Sequence, residues 1–321
     1  MFTFLSITYN HEKYIIEHLE SIKYQVENYG NDKKVNVIIC DDASTDKTVY
    51  LTEKWLDINK YLFNDVTVAL NPSNIGIVKN YFKGINSVKS EKFKALAGDD
   101  LYSSNNVFEV QGDCEFAFSY PVMFTENGID YDKTVKRKYR LDCVRKKTYE
   151  SIKKFIKNGH YLFLNAPAVF YDIKILQNEE LQEFVGQYKW IEDIPVYYYL
   201  FAMEKKKDLK ISILNKPYVM YRDAVGISNK TTHTSFSVFD IERIQMHEKL
   251  NMKVRDDKYL NPYFYLNGFN RYKKLYIDNK IFKKSKNEFA KLKNEIESAS
   301  VHHEEVKKRV KKFYEAVSYD F

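Results

Sequence analysis

Cysteine is scarce in this chain of 321 residues, with three in all, Cys40, Cys114 and Cys143. An odd set without zinc-ligand spacing excludes a disulfide framework and reads as free thiols in a reducing cytoplasm. Ten glycines and six prolines exclude collagen-like and low-complexity architectures. No uncharged apolar run approaches the roughly 18 residues that a membrane span needs. The start, MFTFLSITYN, lacks both a basic stretch and a small-residue cleavage site, so no secretory signal is expected. No internal repeat is visible.

What remains is the composition of a globular protein. Hydrophobic residues make up 44% and charged residues 30%, enough for a sizeable core and against global disorder. The net charge is +7, and residues 251–321 carry all of it, with 17 basic against 10 acidic side chains. That asymmetry fits either an anionic partner near the tail or a solvated helical surface.

The first hundred residues alternate between two hydrophobic periods. FTFLSIT (2–8), VNVIIC (35–40), VTVAL (66–70) and KFKALA (92–97) read as strands. Residues 12–27, 46–59 and 76–88 read as helices, the first with Tyr14, Ile15, Leu19, Ile22 and Val26 at helical spacing. Such alternation with short links predicts a mostly parallel sheet with helices on both faces. Right-handed crossovers then bring the loops that follow the strands to one sheet edge, where ligands bind in such folds. The distinctive polar residues sit in those loops: Thr8, Tyr9 and Asn10; Asp41, Asp42, Ser44 and Asp46; Asn71, Asn74 and Gly76; Gly98, Asp99 and Asp100. An Asp-Asp pair alone is commonly a turn or a cap, so it is their joint placement that carries information.

Further along, the basic stretch 131–157 reads as a surface loop leading to a helix, and NAPAVFY (165–171) as a strand. WIEDIPVYYYLF (190–201) reads as a loop entering a buried helix with Pro195 in its first turn. ISIL and PYVMYR read as strands, and residues 236–321 as mostly helical. Phe282, Phe289, Leu292 and Ile296 form one apolar face there, and Val306, Val310, Phe313 and Val317 another. Adjacent His302 and His303 cannot share a helix face, so a metal site there is not expected.

Five strings together resemble inverting GT-A glycosyltransferases of family 2: SITYNHEKYIIEHLESI (6–22), CDDASTDKT (40–48), NPSNIGIVKNYFKGI (71–85), ALAGDD (95–100) and IEDIP (191–195). YRDAVGIS (221–228) is similar to a segment that often closes the family core. The resemblance covers roughly residues 2–230. It implies an α/β GT-A domain over 1–230, with a nucleotide-binding half (1–105) and an acceptor half (106–230), followed by a C-terminal helical region (231–321).

It also implies roles. Asp42 aligns with the Asp that accepts a hydrogen bond from a uracil or thymine ring, while Tyr9 is suited either to pack on the base or to fill the core, and Thr8 to supply backbone contacts. Asn10, Asn74, Lys79, Asp100 and Arg222 join the nucleotide-sugar site, with Lys79 where the family often has Arg and Arg222 closing over the diphosphate together with Ser228. Asp99 aligns with the last Asp of a D-x-D loop and would hold Mn²⁺ or Mg²⁺, hard cations that suit oxygen ligands. The first D-x-D position is Ala97, so a ribose contact must come from elsewhere, with Asp100 as the candidate. Asp193 aligns with the catalytic base, and Glu192 would orient the acceptor; Trp190 is placed to stack on a sugar or to fill the core.

The expected activity is transfer from a UDP- or dTDP-sugar to a glycan or lipid-linked glycan acceptor, in polysaccharide, capsule or glycoconjugate synthesis. The protein is expected in the cytoplasm, with a peripheral membrane contact or a homodimer through the C-terminal helices as open alternatives, and without a nucleic-acid partner. Two other readings stand beside it. A degenerate module that binds glycans or scaffolds a partner is kept alive by Ala97. A sugar-nucleotide nucleotidyltransferase should carry a glycine-rich phosphate loop near its start, whereas no glycine precedes Gly30.

Overall fold

In a computed structural model of the chain, residues 1–110, 114–145, 166–203, 209–223, 225, 241–242, 245–246 and 282–317 are described. Four parallel strands, β1 (Phe2–Thr8), β2 (Val35–Asp41), β3 (Asp65–Leu70) and β4 (Lys92–Ala97), form a sheet in the order β3-β2-β1-β4. Helices α1 (Ile15–Tyr29), α2 (Thr48–Asn59) and α3 (Ile77–Ser87) connect them. The two-residue period of a strand deals its side chains to two cores. Phe2, Phe4, Val35, Val37 and Ile39 pack with α1 and α2, whereas Leu5, Ile7, Ile38 and Cys40 pack with Val78, Phe82 and Ile85 of α3. Because both faces of β1 and β2 are covered, their sequences read as continuous apolar runs. β3 reads the same way but forms an edge, and its residues are only partly buried or exposed.

The second half is built from shorter pieces. β5 (Leu101–Tyr102), β7 (Val122–Thr125), β8 (Gly128–Ile129) and β11 (Val219–Arg222) form a second sheet in the order β5-β11-β7-β8. β6 (Phe116–Phe118), β9 (Val169–Tyr171) and β10 (Ile211–Ile213) form a third, ordered β10-β6-β9. Lys94 of β4 ties the halves together. Its buried Nζ donates to the Val169 carbonyl at 2.7 Å and lies 4.7 Å from the centre of the Phe170 ring.

Residues 131–145 are helical from the outset (α4, Tyr131–Arg145), not the loop that their charge suggested, because Asp130 caps the helix by accepting from the Lys133 amide at 2.9 Å. The remainder of that basic stretch lies outside the described residues. Residues 166–168 form a 3₁₀ turn, so only the last part of NAPAVFY is strand. Short helices α5 (Ile173–Leu176) and α6 (Glu179–Val185) precede α7 (Asp193–Tyr198), which runs into a π-helical turn, Tyr199–Met203.

α8 (Phe282–Val317) is one helix of 36 residues, roughly 54 Å long. Leu292, Ile296, Ala299, Phe313 and Val317 are buried and join the clusters of the main body, and Val306 is buried as well. For these residues the cover is the chain's own core; the side chains of Phe282 and Phe289 lie outside the described residues. Its solvent face pairs Lys293 with Glu297, Lys307 with Glu304 and Lys311 with Glu315, so part of the tail's positive charge is locally balanced. Among the described residues, no helix is long and apolar enough to cross a membrane.

Candidate active site

The loops that follow β1 to β4 meet through hydrogen bonds between neighbouring strand ends. The Asp42 amide donates to Thr8 O, Asn71 to Asp41 O and Gly98 to Ile7 O, each at 2.9 Å. Asp41 shapes the second loop, its carboxylate accepting from the Ser44 amide at 2.7 Å and from the Ser44 and Thr8 hydroxyls at 2.6 and 2.8 Å. Asn10, with φ at +54°, joins the first two loops: its amide donates to Ser44 Oγ and its side-chain oxygen accepts from the Thr45 amide.

Asp42 pins the third loop. Its buried carboxylate accepts from Asn71 Nδ2 at 2.9 Å and from the Ile75 and Gly76 amides at 2.8 and 2.9 Å, capping the approach to α3. A carboxylate has about four lone-pair sites, so three bonds leave one for a ligand N–H. Asn71 and Asn80 extend this network. Asn71 Nδ2 also donates to Asn80 Oδ1, and Asn80 Nδ2 donates to Cys40 O, both at 3.0 Å. Both asparagines lie in the motif over 71–85; sequence reasoning named Asn71 among the strand-end residues but assigned a nucleotide-sugar role to Asn74, and Asn80 went unmarked. Asn74 and Lys79 are exposed and their side chains make no hydrogen bond or ion pair to the described residues, while Tyr9 presents its ring at 39% exposure.

Gly98 opens the fourth loop, and no larger residue fits there. A Cβ would sit 2.8 Å from Thr8 Cγ2 and 2.9 Å from His11 Nδ1. Beyond it, Asp99 and Asp100 part ways. The Asp99 carboxylate makes no hydrogen bond or ion pair to the described residues. Asp100 turns inward, its Oδ1 accepting from the Arg222 amide at 2.8 Å, so it does not take the ribose-facing place expected for it. Burial and the neighbouring Asp99 charge hold the Asp100 carboxyl well above the usual range.

Arg222 also departs from expectation. Instead of closing over a diphosphate, it lies behind the loop, 2% exposed. Its Nε donates to Asp99 O at 2.8 Å and its guanidinium pairs with Glu17. Its Cζ sits 4.6 and 4.4 Å from the ring centres of Tyr14 and Phe124. Ser228 lies outside the described residues. His18 secures the loop from α1: its Nδ1 donates to Asp100 O and its Nε2 accepts from Ser6 Oγ, both at 2.7 Å. A carbonyl only accepts, which fixes this neutral tautomer, and burial pushes the ring's pKa down to about 4. Sequence could have signalled His18, a polar residue beside Ile15, Leu19 and Ile22 on the buried side of α1.

Glu192 and Asp193 open α7 beside α3. Lys189 packs against Gly76, and the Tyr81 hydroxyl of α3 lies in the field of both carboxyls. Burial raises both carboxyl pKa values, Glu192 further because it also feels the Asp193 charge. Asp193 Oδ1 accepts from the Ile194 amide at 2.7 Å. The pair therefore holds one proton near neutrality, chiefly on Glu192, with Asp193 the more readily ionised of the two. Glu242 braces the approach, its carboxylate accepting from the Lys189 and Trp190 amides at 2.7 and 2.8 Å. No sequence signal marked Glu242. Lys189 Nζ lies 5.0 Å from the centre of the Trp190 ring.

The strand-end loops thus carry one carboxylate, Asp99, without a hydrogen bond to the described residues, and a buried carboxyl pair opens α7 near Tyr81 of α3. The family model for glycosyl transferase family 2 matches residues 3–178, more than half of the chain. The chain belongs to glycosyl transferase family 2. Its match ends before Glu192, β11 and α8, so those parts are placed by the structure alone. A crystal structure of S. aureus TarS 1–349 in complex with UDP-GlcNAc has a similar fold, with a TM-score of 0.51 and 18% identity over 92% of this chain and 81% of that one. A complex of the same TarS fragment with UDP gives a TM-score of 0.49 and 16% identity over 81% and 75%. No curated protein sequence matches the chain significantly. The expected GT-A-like sheet with helices is thus the observed one, and the family makes the protein a glycosyltransferase.

Proposed function

We propose that this glycosyltransferase moves a sugar from a UDP- or dTDP-linked donor to a hydroxyl of a glycan or lipid-linked glycan acceptor, with inversion, in cell-surface polysaccharide or glycoconjugate synthesis. The observation that carries this reading is the Glu192–Asp193 pair set beside the loop that Asp42 pins. The TarS complex with UDP-GlcNAc supports a uridine nucleotide.

Tyr9 and Asp42 receive the base, Tyr9 by its exposed ring and Asp42 by its remaining lone-pair site. Asp193 takes the proton from the acceptor hydroxyl as the oxygen attacks the anomeric carbon. The bond from that carbon to the phosphate oxygen breaks on the opposite face, and the nucleotide leaves with the electron pair. Glu192, holding its proton, donates a hydrogen bond that orients the acceptor. Asp99 fits a divalent cation of the Mg²⁺ or Mn²⁺ kind. Such ions are commonly held by one or two carboxylates plus substrate phosphates, and among the described residues there is no cluster of three metal-type side chains that would cage one without substrate. A cation held there would disperse charge on the departing diphosphate.

The test is UDP release from UDP-sugars, with thermal shift alongside, in Mn²⁺ and in excess chelator. A UDP-sugar is expected to raise the melting temperature, and release is expected to stop on chelation and in Asp99→Asn. Full turnover in chelator would overturn the metal role. Absence of both stabilisation and release across nucleotide sugars would instead favour the scaffold reading.

A further inference from the structure

The C-terminal helix lies outside the family match, yet it touches the parts that hold Asp99. The β5-β11-β7-β8 sheet has Asp100 just before β5 and Arg222 at the end of β11. One face of this sheet presents Leu101, Val122, Phe124 and Met220, all fully buried, and they form a single cluster with Ala299 of α8. A small sheet needs such a cover to be stable in water. Polar contacts set the helix's register on it. Asn105 Nδ2 donates to Glu295 at 3.0 Å, the Ser104 and Ser298 hydroxyls meet at 3.1 Å, and His302 Nε2 donates to the Tyr102 carbonyl at 3.0 Å. Residues 295, 298, 299, 302 and 306 follow the helical repeat that makes one face.

His303 completes a direct line to the site. Its ring meets Phe124 edge-on, centres 4.9 Å apart at 75°. Phe124 underlies the Arg222 guanidinium, whose Nε donates to Asp99 O, while the Arg222 backbone amide donates to Asp100 Oδ1. Burial keeps His303 neutral, so it adds no second cation beside Arg222.

We propose that α8 is a structural layer of the donor site and that His303, acting through Phe124 and Arg222, is a positioning residue for the Asp99 carboxylate and the cation–diphosphate it receives. This adds a role within the site to the membrane contact or homodimer expected of the C-terminal helices, and it rests on the reading of Asp99 given above.

The experiment measures UDP affinity calorimetrically in Mn²⁺ on the full chain, with melting temperature and acceptor KM recorded for each variant. Asp99→Asn tests the underlying reading and should abolish Mn²⁺-dependent UDP binding; if it does not, that reading fails and this inference with it. Given that loss, His303→Ala should weaken UDP binding roughly three- to tenfold, the range expected for losing one aromatic contact, with acceptor KM unchanged. His303→Phe should restore it, and Lys308→Ala, on the solvent face of α8, should have no effect. Unchanged UDP affinity in folded His303→Ala, whatever its melting temperature, would overturn the proposal. Should His303→Ala not fold, His303→Leu takes its place with the same two outcomes, since leucine keeps most of the volume but removes the ring.

Discussion

Asp193→Asn separates catalysis from stability, because the two should move in opposite directions. Asp193 is raised from 3.8 to about 6, with burial the largest cause and the Ile194 amide opposing it. At 1.36 kcal/mol per unit, keeping this carboxylate ionised costs the folded protein about 3 kcal/mol at neutral pH. That is an upper bound, because the side chain is only half-buried. The sign follows from linkage. Between about pH 4 and 6 the native state binds more protons than the unfolded one, so wild-type stability falls as pH rises through that window. Asparagine keeps an oxygen for the Ile194 amide and removes the charge. The variant should therefore melt a few degrees higher at pH 7.5 and lose most of that pH dependence. Its turnover should fall roughly 10²–10⁴-fold, the usual contribution of a general base, with donor affinity nearly intact. Scanning calorimetry at pH 4.5, 6 and 7.5 together with acceptor-dependent UDP release would check both. Near-wild-type turnover with the true acceptor would refute the base assignment, and a lower melting temperature at pH 7.5 would refute the desolvation argument.

Glu242→Ala should free the backbone before Glu192–Asp193 and lower kcat roughly tenfold while UDP affinity stays unchanged, since two charge-assisted hydrogen bonds are lost on the acceptor side only; steady-state kinetics with calorimetry would show the split. Gly98→Ala should force the β4 loop away from Thr8 and His11 and weaken nucleotide binding along with turnover, and an unchanged Kd would show that the loop absorbs the methyl group.

The parallel sheet was legible because β1, β2 and β4 and their helices obey local rules. Continuous apolar runs mark covered strands, and a 3.6-residue period marks helices that bury one face. The short strands after residue 100 were mostly invisible. β5 and β8 have two residues each, too few for any period to show, and only pairing with distant partners makes them strands. The polar loops were legible as a set, for strand ends dictate where they gather.

Sequence by itself could not say which carboxylate does what. Asp99 and Asp100 are adjacent and chemically equal, and it was Arg222, 122 residues from Asp100 in the chain, that bound the Asp100 carboxylate and not that of Asp99. The sequence placed Arg222 at the ligand; Glu17 and the rings of Tyr14 and Phe124 drew it behind the loop, because a buried guanidinium must find a carboxylate and flat surfaces to replace its water. Glu192 and Asp193 likewise owe their raised carboxyl pKa values to burial, and Glu192 its larger rise to the Asp193 charge, properties that adjacency in sequence does not carry. Residue types and local periodicity determined β1 to β4, the helices between them and most of the candidate groups. Tertiary contacts decided their orientation, their charge and the packing of α8, since desolvation and hydrogen bonding depend on neighbours that the chain brings together only when it folds.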